Sequence, residues 1–417
     1  MASDKLKLVL LYSRILLSFS IQLLVQKIQA IAHKYTYRSV PSPLNVVIIG
    51  GSFTGMQLAR RLMETLPTGY RIVLVEKNSH FNYSFNFPRY SVLQGHEKSA
   101  FIPYSGIAKN APKGIFEQVQ DLAVGVRGNE VELASGEKVK FEYLAIATGS
   151  KQPFPAKVAS AKKEEGAAEL RSMQEAVKGS QKIALVGGGA VGVQLASDIK
   201  SYYPEKEVTL IHSREQLLPS FGSRLHEHVS AKLGEMGIKL RLGERPALPP
   251  TTGAEKATTL TFKDGGEEDF DLVIPCTGQT PNSSIISKLE PNVLAKSGRI
   301  NVKSSLQLEN PAHSHIFALG DVAETSGPKM ARAGMMQAEI VVSNILSLIK
   351  GREASKQYKP HFVEGALKLS LGKADSVLYV QESQQKDLLI PAKSKSEDLD
   401  IARAWKHFGA DLKNFST

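Results

Sequence analysis

Only one cysteine, Cys276, occurs in 417 residues. That excludes an intrachain disulfide, a CxxC redox pair and a cysteine metal cluster, and so little cysteine suits a reducing compartment. Aromatic residues make up 7%, with a single tryptophan, Trp405. They are not interleaved with a basic stripe, so a nucleic-acid-binding face is not expected despite the net charge of +11. The ten histidines lack metal-ligand spacing; His226 and His228 fit a helix surface. No Ser-His-Asp set or catalytic carboxylate pair is evident. Residue 2 is Ala, not Gly, which rules out N-myristoylation. Acids are nearly absent from residues 1–40, where Asp4 stands alone against Lys5, Lys7, Arg14, Lys27, Lys34 and Arg38. About half of the basic excess therefore sits in a tenth of the chain. The remaining composition, 42% hydrophobic and 22% charged, is that of a globular protein with roughly two to three domains.

The acid-poor start is also the most apolar part. Leu8 to Val25 carries one charge, Arg14. Lys7, Arg14, Ser18, Gln22, Gln26, Gln29 and His33 recur near the helical period and mark one narrow polar stripe. A helix from about Leu6 to Ala32 would be roughly 40 Å long. Such a segment can lie in the membrane interface, span the bilayer with tilt, act as a mitochondrial presequence or a secretory signal, or pack on its own domain. Residues 1–34 are read as a membrane-anchor helix and 35–44, with Pro41 and Pro43, as a linker.

The body begins with a buried-strand signature, Asn45-Val46-Val47-Ile48-Ile49. Gly50-Gly51-Ser52-Phe53-Thr54-Gly55 follows, then helical spacing from Met56 to Leu66, then a second strand, Arg71 to Glu76. Strand, Gly-rich turn, helix, strand and terminal acid make up a dinucleotide fingerprint. Gly50 permits the tight turn, Gly55 lets helix and strand approach, the helix N-terminus receives a pyrophosphate, and Glu76 suits a ribose diol. Ser52 replaces the middle glycine.

The pattern repeats. Lys182 to Val186 reads as a strand, Gly187-Gly188-Gly189-Ala190-Val191-Gly192 as the turn, Val193 to Ser201 as a helix, and Glu207 to His212 as the next strand. Gly187, Gly189 and Gly192 take the three motif positions. The acid is missing; His212-Ser213-Arg214 stand where Glu76 stood. An acid there repels a 2′-phosphate, whereas His212 and Arg214 can hold one, so the second unit is expected to accept NADPH, with NADH as the alternative. Two such sites call for two dinucleotides, and FAD with NADPH or NADH is the pairing that moves electrons. Three more segments fit it: Phe141 to Ser150, with Thr148 and Gly149 after a strand; Leu272 to Gly278, followed by Gln279-Thr280-Pro281-Asn282; and Ile316 to Asp321, closing on Gly320 and Asp321.

From about Asn45 to Lys350 these segments resemble the two-dinucleotide-domain flavoprotein family, the pyridine nucleotide oxidoreductases. Tyr203 to Ser213, Pro328-Lys329-Met330-Ala331 and Tyr358-Lys359-Pro360 resemble its apoptosis-inducing-factor-like, ferroptosis-suppressor-like branch. The resemblance implies that the first Gly motif binds FAD and the second NAD(P)H. It implies that Asp321 lies at the ribityl–pyrophosphate region, and that a helix starting near Lys329 or Met330 points its positive end at the flavin. By position it implies flavin contacts at Arg89, at the backbone of Ala123 and at Lys157. Lys329 is the candidate catalytic assistant. The branch reduces quinones with NAD(P)H at membranes, so a quinone acceptor is expected. The CxxxxC pair of the family's disulfide reductases is absent here, which removes disulfide substrates.

The expected fold is α/β: two Rossmann-like domains, a small α+β C-terminal region and an N-terminal hydrophobic helix. The FAD-binding domain is placed at 45–151 and 276–350, the NAD(P)H-binding domain at 152–275, and a C-terminal cap over the acceptor site at 351–417, where Val377 to Val380 reads as a strand. Val158 to Gly166 and Ala247 to Thr258 read as loops. The expected location is membrane-associated, facing a reducing compartment, at a mitochondrial or cytoplasmic membrane surface. A signalling or nucleic-acid-binding flavoprotein, a tailoring oxidoreductase of a soluble quinonoid metabolite and a redox-sensing scaffold remain open, as does the oligomeric state.

Overall fold

The computed structural model describes residues 2–248, 258–290, 292–383, 386–394 and 396–415. The segment Ala247 to Thr258 lies almost wholly outside them. Helix α1 (Ala2–Thr36) is followed by a docked rather than a free linker. Tyr37 is buried and its hydroxyl donates to the carbonyl of Tyr70 at 2.9 Å. His33 Nε2 sits 2.6 Å from the carbonyl of Leu66. Among the described residues no helix is long and apolar enough to cross a membrane.

The β-branched runs form strands because parallel sheets covered on both faces bury every side chain. Strand Leu44–Ile49 lies between Tyr70–Val75 and Tyr143–Ile146, with Phe116–Val119 and Ile316–Ala318 at the edges, all parallel. Val46, Val47 and Ile48 have no exposure. Helix α2 (Phe53–Met63) starts directly at the Gly-rich turn. It ends three residues before the periodicity suggested, because Pro67 and Gly69 turn the chain into the next strand. The short α3 (Phe87–Tyr90) and α4 (Lys163–Gly179) follow. The latter starts inside the expected loop and seats Gly166 against Phe101, where an added Cβ would come within 2.8 Å of the ring.

The second unit repeats the design with four parallel strands in the order Lys239–Arg241, Glu207–Ile211, Lys182–Val186 and Leu272–Pro275. Helix α5 (Ala190–Tyr202) leaves its Gly-rich turn and α6 (Ser223–Glu235) follows. The chain then returns to the first sheet through Ile316–Ala318 and enters α7 (Ala331–Ile349). Helices α2 and α7 cross where Gly320 and Gly334 face Thr54; a Cβ on Gly334 would lie 2.0 Å from Thr54 Oγ1.

The C-terminal region is an antiparallel sheet, Leu367–Leu371, Asp375–Ser383 and Lys386–Lys393, followed by α8 (Ile401–His407). Leu369, Val377 and Tyr379 join the second unit's core, whereas Ile401 and Trp405 join the first. Trp405 is fully buried, donating Nε1–H to the carbonyl of Ser99 at 2.7 Å. The region therefore clamps the two units together.

Candidate active site

A continuous cleft of about 2290 Å³ opens between the two sheets and α1. For scale, pockets for one small ligand run to roughly 300–1,000 Å³. Of the residues expected from the sequence, Ser52, Phe53, Thr54, Thr148, Gly149, Lys157, Gly189, Gly278, Gly320, Asp321, Lys329 and Met330 line it. Gly50, Gly51, Gly55 and Glu76 form the turn behind its first wall, and Gly187, Gly192 and His212 the turn behind its second.

The turns are made by close approach. Gly50 has φ +104° and an added Cβ would sit 2.4 Å from the carbonyl oxygen of Ala147; one on Gly55 would meet the carbonyl of Gly50 at 1.8 Å. The second unit reproduces both collisions. Gly187 has φ +133° with its Cβ position 2.3 Å from the carbonyl of Cys276, and that of Gly192 lies 1.9 Å from the carbonyl of Gly187. Only glycine fits at these positions. A Cβ on Gly189 would instead meet open space, and its counterpart Ser52 is exposed. Each is the N-cap of its helix, without a side-chain cap. The first N–H groups of α2 and α5 have no intrahelical acceptors. Together they form two anion cradles of the kind that hold a pyrophosphate.

The residues ending the second strands differ. Glu76 is buried; its Oε2 accepts from Gly51 N at 2.5 Å and its Oε1 from Asn78 N at 2.8 Å. His212 takes the same place, its Nδ1 accepting from Gly188 N at 3.1 Å. That bond puts the ring proton on Nε2, which is buried without a protein partner among the described residues. Burial, then the charge of exposed Arg214, pushes the His212 pKa down. The second unit thus presents a neutral ring where the first presents a carboxylate.

Thr148 Oγ1 donates to the carbonyl of Asn282 at 2.7 Å, and Asn282 Nδ2 returns a 3.0 Å bond to that of Thr148, tying together the two crossings between units. Ser150 Oγ donates to Asp321 Oδ2 at 3.2 Å, and Lys157 Nζ donates to the carbonyl of Ser150. Burial pushes the Lys157 pKa down, with Asp321 pulling it up. Lys329 Nζ donates to the carbonyl of Ala323 (3.0 Å) and to the carbonyl (2.9 Å) and hydroxyl (2.8 Å) of Thr325. Burial and Arg299 lower its pKa. Met330 is the N-cap of α7, whose first turn opens on the cleft.

Two of the expected flavin contacts lie away from the cleft. Arg89 does not line it. It is 1% exposed, 2.8 Å from Asp198 of α5, and donates to the carbonyls of Gly372 and Glu397, both at 2.9 Å. A buried charge needs a partner, and Arg89 finds it at the junction of both units and the C-terminal region. Ala123 is likewise off the cleft. It opens strand Ala123–Arg127, paired to Leu133, and packs against the cluster around Val126 and Val131.

Other site residues were not anticipated. Gln337, on the buried face of α7, accepts from Gly320 N at 2.7 Å and so fixes the turn carrying Asp321. Glu339 accepts from Gln57 Nε2 (2.9 Å) and Arg61 Nε (3.1 Å) on α2, and from Gln26 Nε2 (3.4 Å) on α1. The available signal was polar residues recurring inside an otherwise apolar helix.

Two like-built parallel units, each with a Gly-rich cradle, facing one another across a shared cleft, define a two-dinucleotide flavoprotein oxidoreductase. Residues 44–338 match the pyridine nucleotide-disulphide oxidoreductase family, and the chain belongs to it; its cofactors are FAD and NAD(P)H. It is 36% identical over 375 residues to ferroptosis suppressor protein 1 of Homo sapiens, covering 87% of this chain and 95% of that protein. To Fe-regulated protein 8 of Mycosarcoma maydis it is 35% identical over 389 residues, covering 87% and 94%. The solved sulfide:quinone oxidoreductase of Aquifex aeolicus shares the fold, with TM-score 0.69 at 17% identity, covering 88% of this chain and 92% of that one.

Proposed function

We propose that this chain is an NAD(P)H:quinone oxidoreductase that works lying on a membrane surface and accepts NADPH. The net reaction is NAD(P)H plus a proton plus quinone, giving NAD(P)⁺ and quinol. The observation that carries the reading is the exposed apolar face of α1. Gln22, Gln26 and Lys34 line the cleft together with Phe19, Leu23 and Ala30, and Gln26 bonds to Glu339. Leu17, Ile21, Leu24, Val25 and Ile28 point away and are 46–66% exposed. A helix on a water-soluble body would face the other way. An exposed apolar face beside basic residues suits a bilayer interface, entered to roughly 5–10 Å. A lipid-soluble acceptor then needs no exit from the membrane, and burial pushes the single thiol, Cys276, up to about 12, which disfavours a disulfide acceptor.

When bound, FAD supplies the redox chemistry, taking a hydride from NAD(P)H and releasing two electrons to the acceptor. The chain's residues position and polarise. The α2 turn with Glu76 would hold the FAD pyrophosphate and ribose, and the α5 turn the NAD(P)H pyrophosphate. The neutral His212 ring and the Arg214 charge would receive the adenosine ribose, with or without a 2′-phosphate. Asp321, held by Ser150 and by the Gln337-fixed turn, would sit at the ribityl–pyrophosphate region. Lys157 supplies positive charge beside it. The donors of Lys329 are already engaged, so it would contribute field rather than a proton, adding to the positive end of α7.

The test is purification with FAD, reduction by NADPH and by NADH, reoxidation by a quinone, and flotation with vesicles. Flavin bleaching by NADPH, reoxidation by quinone and co-flotation are expected. A protein that bleaches but is never reoxidised by any quinone would overturn the acceptor; one left behind by vesicles would overturn the membrane surface.

A further inference from the structure

The side of α1 turned to the protein is itself a wall of the cleft. Phe19, Leu23, Gln26, Ala30 and Lys34 line it, spaced four, three, four and four residues apart, which is one helical face. Met63 of α2 and Met336 of α7 line the same cleft, unbranched thioethers that adapt to irregular apolar shapes. The helix is fastened where this wall runs. Gln26 meets Glu339, which also binds Gln57 and Arg61, so α1, α2 and α7 share one carboxylate. The same two helices, α2 and α7, begin at the first Gly-rich turn and at Met330. One cleft therefore takes in both the residues assigned to the flavin and the underside of α1. Phe19 and Leu23 are 52% and 40% exposed, so at these apolar residues the cleft opens towards the outward face of α1.

A passage with a polar inner end and an apolar outer end fits a molecule of the same polarity. We infer that the space between Phe19 and Leu23 of α1 and Met63 and Met336 of the body receives the hydrocarbon tail of the acceptor. Helix α1 is then a specificity-determining element that favours tailed over tail-less quinones, and not an anchor alone. The inference rests on the quinone reading above and adds to it a tail site.

The experiment uses the full FAD-loaded chain in solution without membranes, NADPH as donor, and two quinones with one ring, one carrying a decyl tail and one carrying none. The readout is the ratio of kcat/KM for the tailed over the tail-less compound. Leu23→Glu places a carboxylate in the tail site and should lower that ratio about tenfold or more, given how strongly each buried methylene favours binding. Leu23→Met should restore it. Gln29→Glu adds the same charge to α1 at an exposed position off the cleft and should leave the ratio as in the native chain. The visible flavin spectrum and melting temperature verify that each variant is folded. An unchanged ratio in Leu23→Glu, or an equal fall in Gln29→Glu, overturns the tail site while leaving quinone reduction standing. A native chain whose flavin is bleached by NADPH but which reduces neither quinone overturns the quinone reading itself, and the tail site with it.

Discussion

The two dinucleotide units share a skeleton and differ in one charge. In both, a positive-φ glycine lies under a backbone carbonyl, a glycine in the first helical turn touches that first glycine, and the residue ending the second strand accepts the N–H of the turn's second glycine. Glu76 does so with a carboxylate and His212 with a ring nitrogen. The geometry of the turn therefore does not require an acid, only an acceptor at that place. What the exchange alters is the charge offered to the ligand.

The sharpest way to break the comparison is to spoil each turn in the same manner. Gly55→Ala and Gly192→Ala introduce matching collisions at 1.8 and 1.9 Å. Gly55→Ala should give a protein that purifies without flavin colour. Gly192→Ala should stay yellow but need about tenfold or more NAD(P)H for half-maximal reduction, read from KM. Identical phenotypes would mean that the two units are not specialised.

Next in size is the joint between the units. Arg89→Met leaves Asp198 buried without its cation. Burial already lifts that carboxyl to about 6, against the pull of Arg89. Removing one member of a buried pair costs roughly 3–5 kcal/mol, so urea unfolding should show a loss of that order with flavin still bound by the folded fraction. Colour lost at unchanged stability would return Arg89 to the flavin.

A smaller effect comes from making the second unit resemble the first. His212→Glu should lower kcat/KM for NADPH about a hundredfold, ~2.7 kcal/mol, by placing a carboxylate near the 2′-phosphate, with a much smaller change for NADH. Equal losses for both coenzymes would mean that His212 only shapes the turn.

The smallest is a pH effect. His212 is held below its ordinary pKa, so the unfolded chain binds the proton more readily than the folded one. Its contribution to stability is present above about pH 6.5 and is lost as pH falls through that value towards the lowered one. His212→Gln should melt less differently from pH 7.5 to pH 5.5 than the native chain does, with a gap of roughly a degree or two. A wider gap in the variant would contradict the sign.

Both Gly-rich turns were legible in the sequence because they rest on local rules: β-branched runs make buried strands, and a glycine between strand and helix marks a tight turn. The helix start after each turn, the missing acid at residue 212 and the polar stripe of α1 were equally local. Periodicity reveals that a stripe exists but not which neighbour it faces, so only the fold shows Gln22 and Gln26 turned onto the cleft. The buried pairing of Arg89 was illegible for the opposite reason. A single arginine in an apolar string reads as a ligand contact or a surface charge, since its partner Asp198 is more than a hundred residues away. Gln337, Glu339 and Gly334 escaped notice because their work, bracing Gly320 and joining three helices, exists only after α2 and α7 have crossed.

The relay itself is tested most directly by stopped-flow absorbance of the anaerobic, FAD-loaded full chain. One equivalent of NADPH should bleach the visible flavin band, and one equivalent of a long-tailed quinone should restore it as quinol appears. A chain that shows no flavin band after incubation with FAD, or whose bleached band no quinone restores, would contradict the account.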